Sequence, residues 1–285
     1  MQIHHLNCGA MRPLGGALFD GVTPGLGPAT LACHCLLLEG PDGLVLVDTG
    51  VVGQDGRQSR AAHSPAFLAV DNLRLDSRES AASRVRALGH RAEEVRHVVM
   101  THLDFDHAAG LVDFPNAAVH LSEAEAAAAR RPEGAKAAAR YRPGQWGEVG
   151  RWRTYQPGRS WFGLPAAEVL GADVLLVKLP GHTRGHCGVA VRQGAGWLLH
   201  AGDAVFFRSE LEDRPWMPTA ARGYQWFMET SQVRRRRSLT ALRTLVRDAG
   251  GDVRVVCTHD PRGVDASPVA GPADVTGRVA GGAGA

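Results

Sequence analysis

The chain has 285 residues, of which 44% are hydrophobic and 21% charged, with a formal net charge of +3 at neutral pH. Such a composition is typical of a globular protein, and the charge is too small to indicate a nucleic-acid partner by itself. No apolar run approaches the roughly 18–20 residues of a membrane span, and the N-terminus lacks the basic and apolar parts of a secretory signal. The five cysteines contain no CxxC pair, which favours reduced thiols. We therefore expect a soluble, cytoplasmic protein with no membrane or nucleic-acid partner.

The N-terminal part predicts three strands. Gln2–Asn7 is the first, followed by a Gly- and Pro-rich loop over Cys8–Pro28. The apolar runs Ala32–Glu39 and Leu44–Asp48 flank Gly40-Pro41-Asp42-Gly43, which is a strong hairpin signal.

A helix, a buried strand and a second helix follow a loop-like segment. Ser80–Leu88 predicts the first helix, which Gly89 ends. Val95–Met100 is an apolar run short enough for a strand buried on both faces, and Ala118–Leu121 predicts another strand. Ser122 opens an alanine-rich helix.

Two aromatic-rich stretches, 141–165 and 206–228, lack helical or strand periodicity, and we expect both to be long loops. The other predicted elements of this half are strands Val174–Leu179, Cys187–Arg192, Trp197–Ala201 and Val253–Cys257, and helix Gln232–Ala249. The tail 262–285 is rich in Gly, Ala, Pro and Val and is not expected to pack, which leaves 1–261 as a single domain. Two groups of strands mixed with helices predict an α/β sandwich, with two sheets face to face and helices outside.

Four side chains able to bind a metal fall within six residues after Val95–Met100, namely His102, Asp104, Asp106 and His107. A loop at the end of a buried strand can direct such groups to one point. Two imidazoles and two carboxylates suit Zn, Fe or Mn better than Cu(I). The alternative is a polar loop that only solvates the end of the strand.

Three later predicted strands also end next to a possible ligand: His182, Asp203 and His259. Each one alone is more often a hydrogen-bonded structural residue. Together with the earlier four they make seven groups with no thiolate, which is enough for two metal ions that share a carboxylate.

In this order the motifs resemble the metallo-β-lactamase-fold hydrolase superfamily, whose signature is HxHxDH followed by separate His, Asp and His residues. The resemblance extends from Ile3 to about Pro261 and implies an αββα sandwich with the metal site at one edge. It implies two divalent metal ions, zinc above all, with iron or manganese as alternatives. By position it assigns His102, Asp104 and His182 to the first metal, Asp106, His107 and His259 to the second, and Asp203 to a bridge between them.

One departure from the signature is Asp104, which stands where the family has its second His. A carboxylate still binds zinc at about 2.0–2.2 Å. It also adds negative charge and hard oxygen character, which favour iron or manganese. The alternative is that Asp104 is too short to reach the metal, so that only one ion is held. The resemblance gives Asp48, in the segment LVLVDTG, a structural role behind the ligands.

The resemblance implies a hydrolase in which metal-bound hydroxide attacks a carbonyl or phosphoryl centre. Asp106 is the candidate to orient that nucleophile or to carry a proton to the leaving group. We predict a small ester or lactone as the substrate, because the aromatic stretches favour an apolar pocket. The candidate substrate contacts are Phe206, Tyr224, Trp226 and Trp152.

Several alternatives stay open. In the lactonases of this family a Tyr stands three residues beyond the bridging Asp, where this chain has Phe206, and Tyr224 is a candidate to replace it. Phosphotriester or thioester hydrolysis, a non-haem iron oxidative enzyme and a non-catalytic binding protein are the other possibilities. The aromatic stretches are equally compatible with a homodimer interface or with loops that are merely anchored to the body.

Overall fold

The computed structural model describes residues 1–55, 68, 70–141, 146 and 149–264. Within them the strands form two six-stranded sheets. The first sheet has the order β1-β2-β3-β4-β5-β6 and consists of β1 Gln2–Met11, β2 Leu31–Gly40, β3 Gly43–Val47, β4 Val95–Val99, β5 Ala118–Ser122 and β6 Arg151–Tyr155. The second has the order β12-β11-β10-β9-β8-β7 and consists of β7 Arg159–Trp161, β8 Leu164–Leu170, β9 Val174–Lys178, β10 Cys187–Gln193, β11 Gly196–His200 and β12 Val253–Val256.

The helices connect these strands along the chain. Those described in full are α1 Ala17–Asp20, α2 Ala81–Ala87, α3 Phe105–Ala108, α4 Glu123–Arg130, α5 Gly134–Arg140, α6 Thr219–Met228, α7 Gln232–Asp248 and α8 Pro261–Val264. Among the described residues no helix is long and apolar enough to cross a membrane.

Both sheets are mixed. In the first sheet β1, β2 and β3 are antiparallel neighbours, whereas β3, β4, β5 and β6 run parallel. In the second sheet only β11 and β12 pair in parallel. Parallel strands end at the same edge of a sheet, so the segments that follow β11 and β12 leave side by side.

Three of the four buried apolar clusters form stacked layers. The middle layer lies between the sheets and includes Leu36 and Val99 of the first sheet and Leu176 of the second. One outer layer packs α2 and α4 on the first sheet, and the other packs α7 on the second. The structure therefore confirms the predicted αββα sandwich.

Local chemistry explains the elements that were predicted correctly. Gly40 pairs with Gly43 across the two-residue β2–β3 turn, and Gly43 takes a φ of 90° that favours glycine. Ser80 caps α2, because its hydroxyl accepts the Ser83 N–H. Ser122 caps α4 in the same way.

Three predictions about loops were wrong. Strand β1 continues to Met11, because an irregularity between Asn7 and Ala10 carries it past a glycine. The stretch 141–165 contains β6, β7 and the start of β8, whose short edge strands bury too little to show a clear alternation. The stretch 206–228 contains α6. Of the predicted tail 262–285, residues from 265 onward lie outside the described residues.

Candidate metal centre

The ends of four strands deliver the ligands. His102 follows β4, His182 follows β9, Asp203 follows β11 and His259 follows β12. Strand β4 continues into a short loop and α3, which holds Asp106 and His107. All seven predicted ligand side chains are buried. The sandwich therefore brings residues from distant parts of the chain to one edge, as the sequence predicts.

One group of ligands consists of Asp106, His107, Asp203 and His259, whose ligand atoms lie within 4.8 Å of one another. Asp203 is 3.2 Å from His107 Nε2 through Oδ1 and 3.1 Å from His259 Nε2 through Oδ2. Asp106 Oδ2 lies 3.6 Å from His107 Nε2 and 3.5 Å from His259 Nε2. Ligand atoms around a tetrahedral ion with bonds of about 2.0–2.2 Å lie roughly 3.4 Å apart. We call this set the second ligand group.

The first ligand group consists of His102, His182 and Asp203, again within 4.8 Å of one another. Asp203 Oδ2 lies 3.4 Å from His182 Nε2 and 4.0 Å from His102 Nε2. Asp203 belongs to both groups, so the two groups have one carboxylate in common.

Asp104 reaches this first group. Its Oδ2 lies 2.9 Å from His182 Nε2 and 3.5 Å from His102 Nε2. The aspartate is shorter than the histidine of the family signature, yet it reaches the other residues of this group. The same oxygen accepts a hydrogen bond of 2.6 Å from Nη1 of Arg140. The oxygen nearest to the histidines therefore already has a cationic partner.

Unpartnered buried atoms show that the residues fit a metal. His102 Nε2, His107 Nε2, Asp104 Oδ1 and Asp203 Oδ1 are buried and have no hydrogen-bond partner among the described residues. Such atoms are rare in folded proteins, and each here is a lone-pair donor of the kind that Zn, Fe or Mn binds. The side chains themselves thus support a metal centre.

Asp48 fixes one of the ligands. Its carboxylate accepts hydrogen bonds from Thr101 N at 2.8 Å, from Thr101 Oγ1 at 2.7 Å and from His107 Nδ1 at 2.8 Å. Nε2 of His107 is therefore left to face the other ligands. His186 similarly accepts the Asp203 N–H at 2.9 Å and thus holds the bridging residue by its backbone.

Burial and the neighbouring charges shift the pKa values of the ligands. Burial, assisted by His107, lowers the pKa of His102 to about 4, which favours the neutral imidazole that binds metals. Burial raises the pKa of Asp106, although His107 and His259 oppose this shift. For Asp203 burial is outweighed by His259 and His107, which hold the pKa of its carboxyl well below the usual range.

An apolar wall lies beside the ligands. The Phe206 ring is buried, with its centroid 4.6 Å from that of His259 and 6.0 Å from that of His182. The Tyr224 ring packs 6.4 Å from Phe206, and its hydroxyl donates a hydrogen bond of 3.1 Å to Asp71. Phe206 belongs to a buried apolar cluster, and Tyr224 packs against this cluster. Its other members include Met11, Leu31, Cys33, Val51, Val52, Phe105 and Met217.

The other two predicted substrate contacts, Trp226 and Trp152, do not belong to the cluster that holds Phe206 and Tyr224. Trp226 is 62% exposed, because α6 buries Ala221 and Gln225 and turns Trp226 outward. Trp152 packs on the helix-covered face of the first sheet, with its indole N–H bonded to Val149 O at 2.7 Å. An aromatic residue in the sequence does not show which face of its element it occupies.

Sequence reasoning missed two buried charged residues beside the ligands, Arg140 and Glu125. Glu125 accepts hydrogen bonds from Leu103 N at 3.1 Å, from Thr183 Oγ1 at 2.6 Å and from Gly185 N at 3.1 Å. It therefore links the loop after β4 to the loop after β9. The one available signal for Arg140 was the extra negative charge of Asp104, which calls for a cation but does not select one of the many arginines.

Comparison with known proteins assigns the family. The family model described as the metallo-beta-lactamase superfamily matches residues 29–259. This chain belongs to that superfamily. It is similar to a probable metallo-hydrolase of Mycobacterium tuberculosis, with 39% identity over 92% of this chain and 81% of that protein. Together with the ligand groups, these similarities identify an enzyme of the metallo-hydrolase class.

Two further comparisons concern lactonases. The N-acyl homoserine lactonase AttM of Rhizobium johnstonii is 29% identical over 79% of this chain and 80% of its own length. A solved structure of an N-acyl homoserine lactone hydrolase, with the product N-hexanoyl-L-homoserine bound at its catalytic metal centre, covers 91% of this chain and 93% of its own. Its TM-score is 0.68 and its identity 18%, so this second likeness concerns the fold alone.

Proposed function

We propose that this protein is a dinuclear metallo-hydrolase that opens lactones carrying an acyl chain, with small esters as weaker substrates. The observation that carries the proposal is the position of Phe206. Its buried ring lies against His259 and His182, so an apolar wall begins directly at the two ligand groups. A substrate with a reactive carbonyl and an apolar chain fits such a surface better than a highly charged one.

Two divalent metal ions, zinc in the first instance, fit the seven ligands. Asp203 supplies the shared carboxylate, and each ligand group keeps unpartnered atoms of its own. When bound, such ions lower the pKa of water toward about 7 and polarise a carbonyl oxygen.

Side chains of this protein have three further roles in the proposed reaction. Asp106 lies in the second ligand group, 3.5 Å from His259 Nε2 and 3.6 Å from His107 Nε2, which places it to orient the nucleophile or to carry a proton to the leaving group. Asp48 keeps His107 in one orientation, with Nε2 toward the centre. Phe206 and the cluster around it exclude water from the acyl chain.

Tyr224 supplies a polar group on this wall. Phe206 has no hydroxyl to offer a substrate carbonyl, and Tyr224 packs beside it with its hydroxyl bonded to Asp71. We infer that the Tyr224–Asp71 pair meets the polar part of the substrate at the edge of the apolar wall. The lactonase activity named for the AttM relative is consistent with this class of substrate.

A second candidate function rests on Asp104. A carboxylate in place of a histidine gives the first ligand group an oxygen ligand that favours iron, as a non-haem iron oxidative enzyme requires. Metal identity separates the two candidates, because zinc supports hydrolysis and has no redox chemistry.

We also propose a compartment, a domain organisation and an oligomeric state for this enzyme. All five cysteines are free and buried, which suits the reducing cytoplasm. We propose that residues 1–261 form one domain, and that the exposed Phe227 at the end of α6 contributes to a homodimer interface.

The proposal is tested by incubating the purified protein with acyl homoserine lactones of increasing chain length, an aryl ester, a thioester and a phosphotriester. Mass spectrometry would follow the ring-opened acid. We expect ring opening that rises with acyl length and is lost in Asp203→Asn, whereas Trp226→Ala behaves as the parent protein. Oxygen consumption with an iron-loaded protein and no hydrolysis of any probe would contradict it.

A further inference from the structure

Arg140 is a buried cation next to a metal ligand. Its side chain is 3% exposed and that of Asp104 is 2% exposed. Nη1 donates to Asp104 Oδ2 at 2.6 Å, and Nη2 donates to the carbonyl of Met228, which ends α6. The guanidinium thus lies between a carboxylate and the carbonyl end of a helix, both of which favour a positive charge.

The surrounding residues fix this position. Arg140 is the last residue of α5, and the hydroxyl of the next residue, Tyr141, donates to Glu125 Oε1 at 3.2 Å. Glu125 in turn binds Leu103 N, one residue before Asp104. The same short segment therefore supports the first ligand loop at two points, and the pair is not a chance contact of surface side chains.

A metal ion and the guanidinium would share the Asp104 carboxylate, because Oδ2 accepts Arg140 and Oδ1 is a buried oxygen with no partner among the described residues. The Asp104 oxygen that accepts Arg140 is also the one that lies 2.9 Å from His182 Nε2, at the first ligand group. Without a metal, Arg140 compensates a carboxylate that would otherwise be buried with no counter-charge. With a metal, the two cations repel each other where little water screens them.

Among the described residues, the second ligand group has no such cationic partner. Within the part of the chain that the structure describes, the ion pairs of Asp106 and Asp203 involve histidines and no Lys or Arg. The two groups therefore differ in charge although they share Asp203.

We propose that Arg140 is a positioning residue that weakens the first metal position, so that the second ligand group fills first and the first group fills only at higher metal concentration. The inference rests on the dinuclear part of the proposed function. It also explains how the chain accommodates Asp104: the arginine neutralises the added charge and keeps the empty first group folded.

The test is a metal titration of the full-length protein after removal of metal by a chelator. Zinc would be added against a chromophoric chelator of known affinity, and the melting temperature of metal-free and zinc-loaded protein would be recorded. Arg140→Met removes the charge and keeps most of the stem. Arg140→Gln removes the charge but keeps an amide donor for Asp104 and the Met228 carbonyl. Arg84→Met is the matched control, because Arg84 is partly buried and bonds Asn7 O but touches no ligand.

We expect two binding steps in the parent protein, separated by roughly tenfold or more. Both Arg140 variants should tighten the weaker step by about tenfold and leave the tighter step unchanged. Their metal-free forms should have lower melting temperatures than the metal-free parent. Zinc should raise the melting temperature of the variants by more than it raises that of the parent. Arg84→Met should leave both binding steps unchanged.

Two binding steps of equal zinc affinity in the parent protein would overturn the inference. Weaker zinc binding at the first ligand group in Arg140→Gln than in the parent would also overturn it. If Arg140→Met does not fold, Arg140→Gln alone decides. Lactone turnover measured on the same samples separates the two proposals. Turnover with two equal steps refutes only the role of Arg140, whereas a single binding step and no turnover refutes the dinuclear hydrolase as well.

Discussion

The carboxylate of Asp48 accepts a hydrogen bond of 2.8 Å from Nδ1 of His107, and the two residues lie 59 positions apart in the chain. The bond fixes the imidazole so that Nε2 points at Asp203, 3.2 Å from Oδ1. Asp48 also takes a φ of 57°, which is rare for a residue other than glycine. Strain of this kind at a residue behind a ligand indicates that its position serves the site.

Replacing Asp48 by Asn should weaken metal binding at the second ligand group. An amide can present its NH₂ to His107, so the imidazole loses a charged acceptor and its fixed orientation. Loss of such an outer partner typically costs about 10–100-fold in metal affinity. Chelator competition would measure the loss, and Asp113→Asn, at a carboxylate that bonds only Gln54 N in the described hydrogen bonds, is the control. Equal metal affinity in Asp48→Asn and the parent would show that the contact does not tune the ligand.

Phe206 should control the preference for acyl chain length. Phe206→Ala removes the ring that packs on His259, so kcat/KM should fall more for long-chain than for short-chain lactones. Trp226→Ala, which removes an exposed ring from α6, should leave the chain-length profile unchanged. A parallel loss with all chain lengths in Phe206→Ala would place the acyl chain elsewhere.

Asp71 should make stability depend on pH. Burial raises the pKa of its carboxyl to about 7. The folded protein then holds this proton more tightly than the unfolded chain, so its contribution to stability is present below about pH 4 and is lost as the pH rises toward 7. Each unit of the shift corresponds to about 1.4 kcal/mol.

Asp71→Asn removes this titration while keeping an oxygen for the Tyr224 hydroxyl. The melting temperature of the metal-free variant, relative to that of the metal-free parent, should therefore rise between pH 5 and pH 7.5. A difference that stays constant over this range would mean that Asp71 titrates normally.

Glu125 should be needed for the first ligand group to form. Glu125→Ala leaves Leu103 N, Gly185 N and the Thr183 hydroxyl without their buried acceptor, and the loss of such a network costs on the order of 3–5 kcal/mol. Urea unfolding would measure it, with Glu123→Ala, at an exposed position of the same helix, as the control. Similar midpoints for the two variants would show that the two loops hold their positions without the link.

The positions of four candidate ligands were visible in the sequence, because each follows an apolar strand. His102, His182, Asp203 and His259 each follow a predicted strand, but the family resemblance, not this position alone, assigned them to metals. The structure brings the four strand ends to one edge of the sandwich. The hairpin at Gly40–Gly43 and the caps Ser80 and Ser122 were equally visible, since their residue types are required locally.

The features that sequence reasoning missed depend on tertiary contacts. Arg140 ends an alanine-rich helix whose sequence resembles that of a solvent-exposed element, and its buried partners, Asp104 and the Met228 carbonyl, come from distant parts of the chain. Trp152 and Phe206 both lie in aromatic-rich stretches, yet one packs under the helices and the other beside the ligands. No local pattern distinguishes these two faces, because the alternation is set by partners far away in the chain.

The proposed two-metal centre that hydrolyses lactones is tested most directly by measuring metal content and turnover on one sample. Protein purified without chelators would be analysed by elemental mass spectrometry and assayed with an acyl homoserine lactone, then stripped of metal and reconstituted with zinc. We expect about two metal ions per chain after reconstitution, loss of ring opening when the metal is removed and recovery on addition of zinc. About one ion per chain even after reconstitution with excess zinc, or ring opening that persists after metal removal, would contradict the proposal.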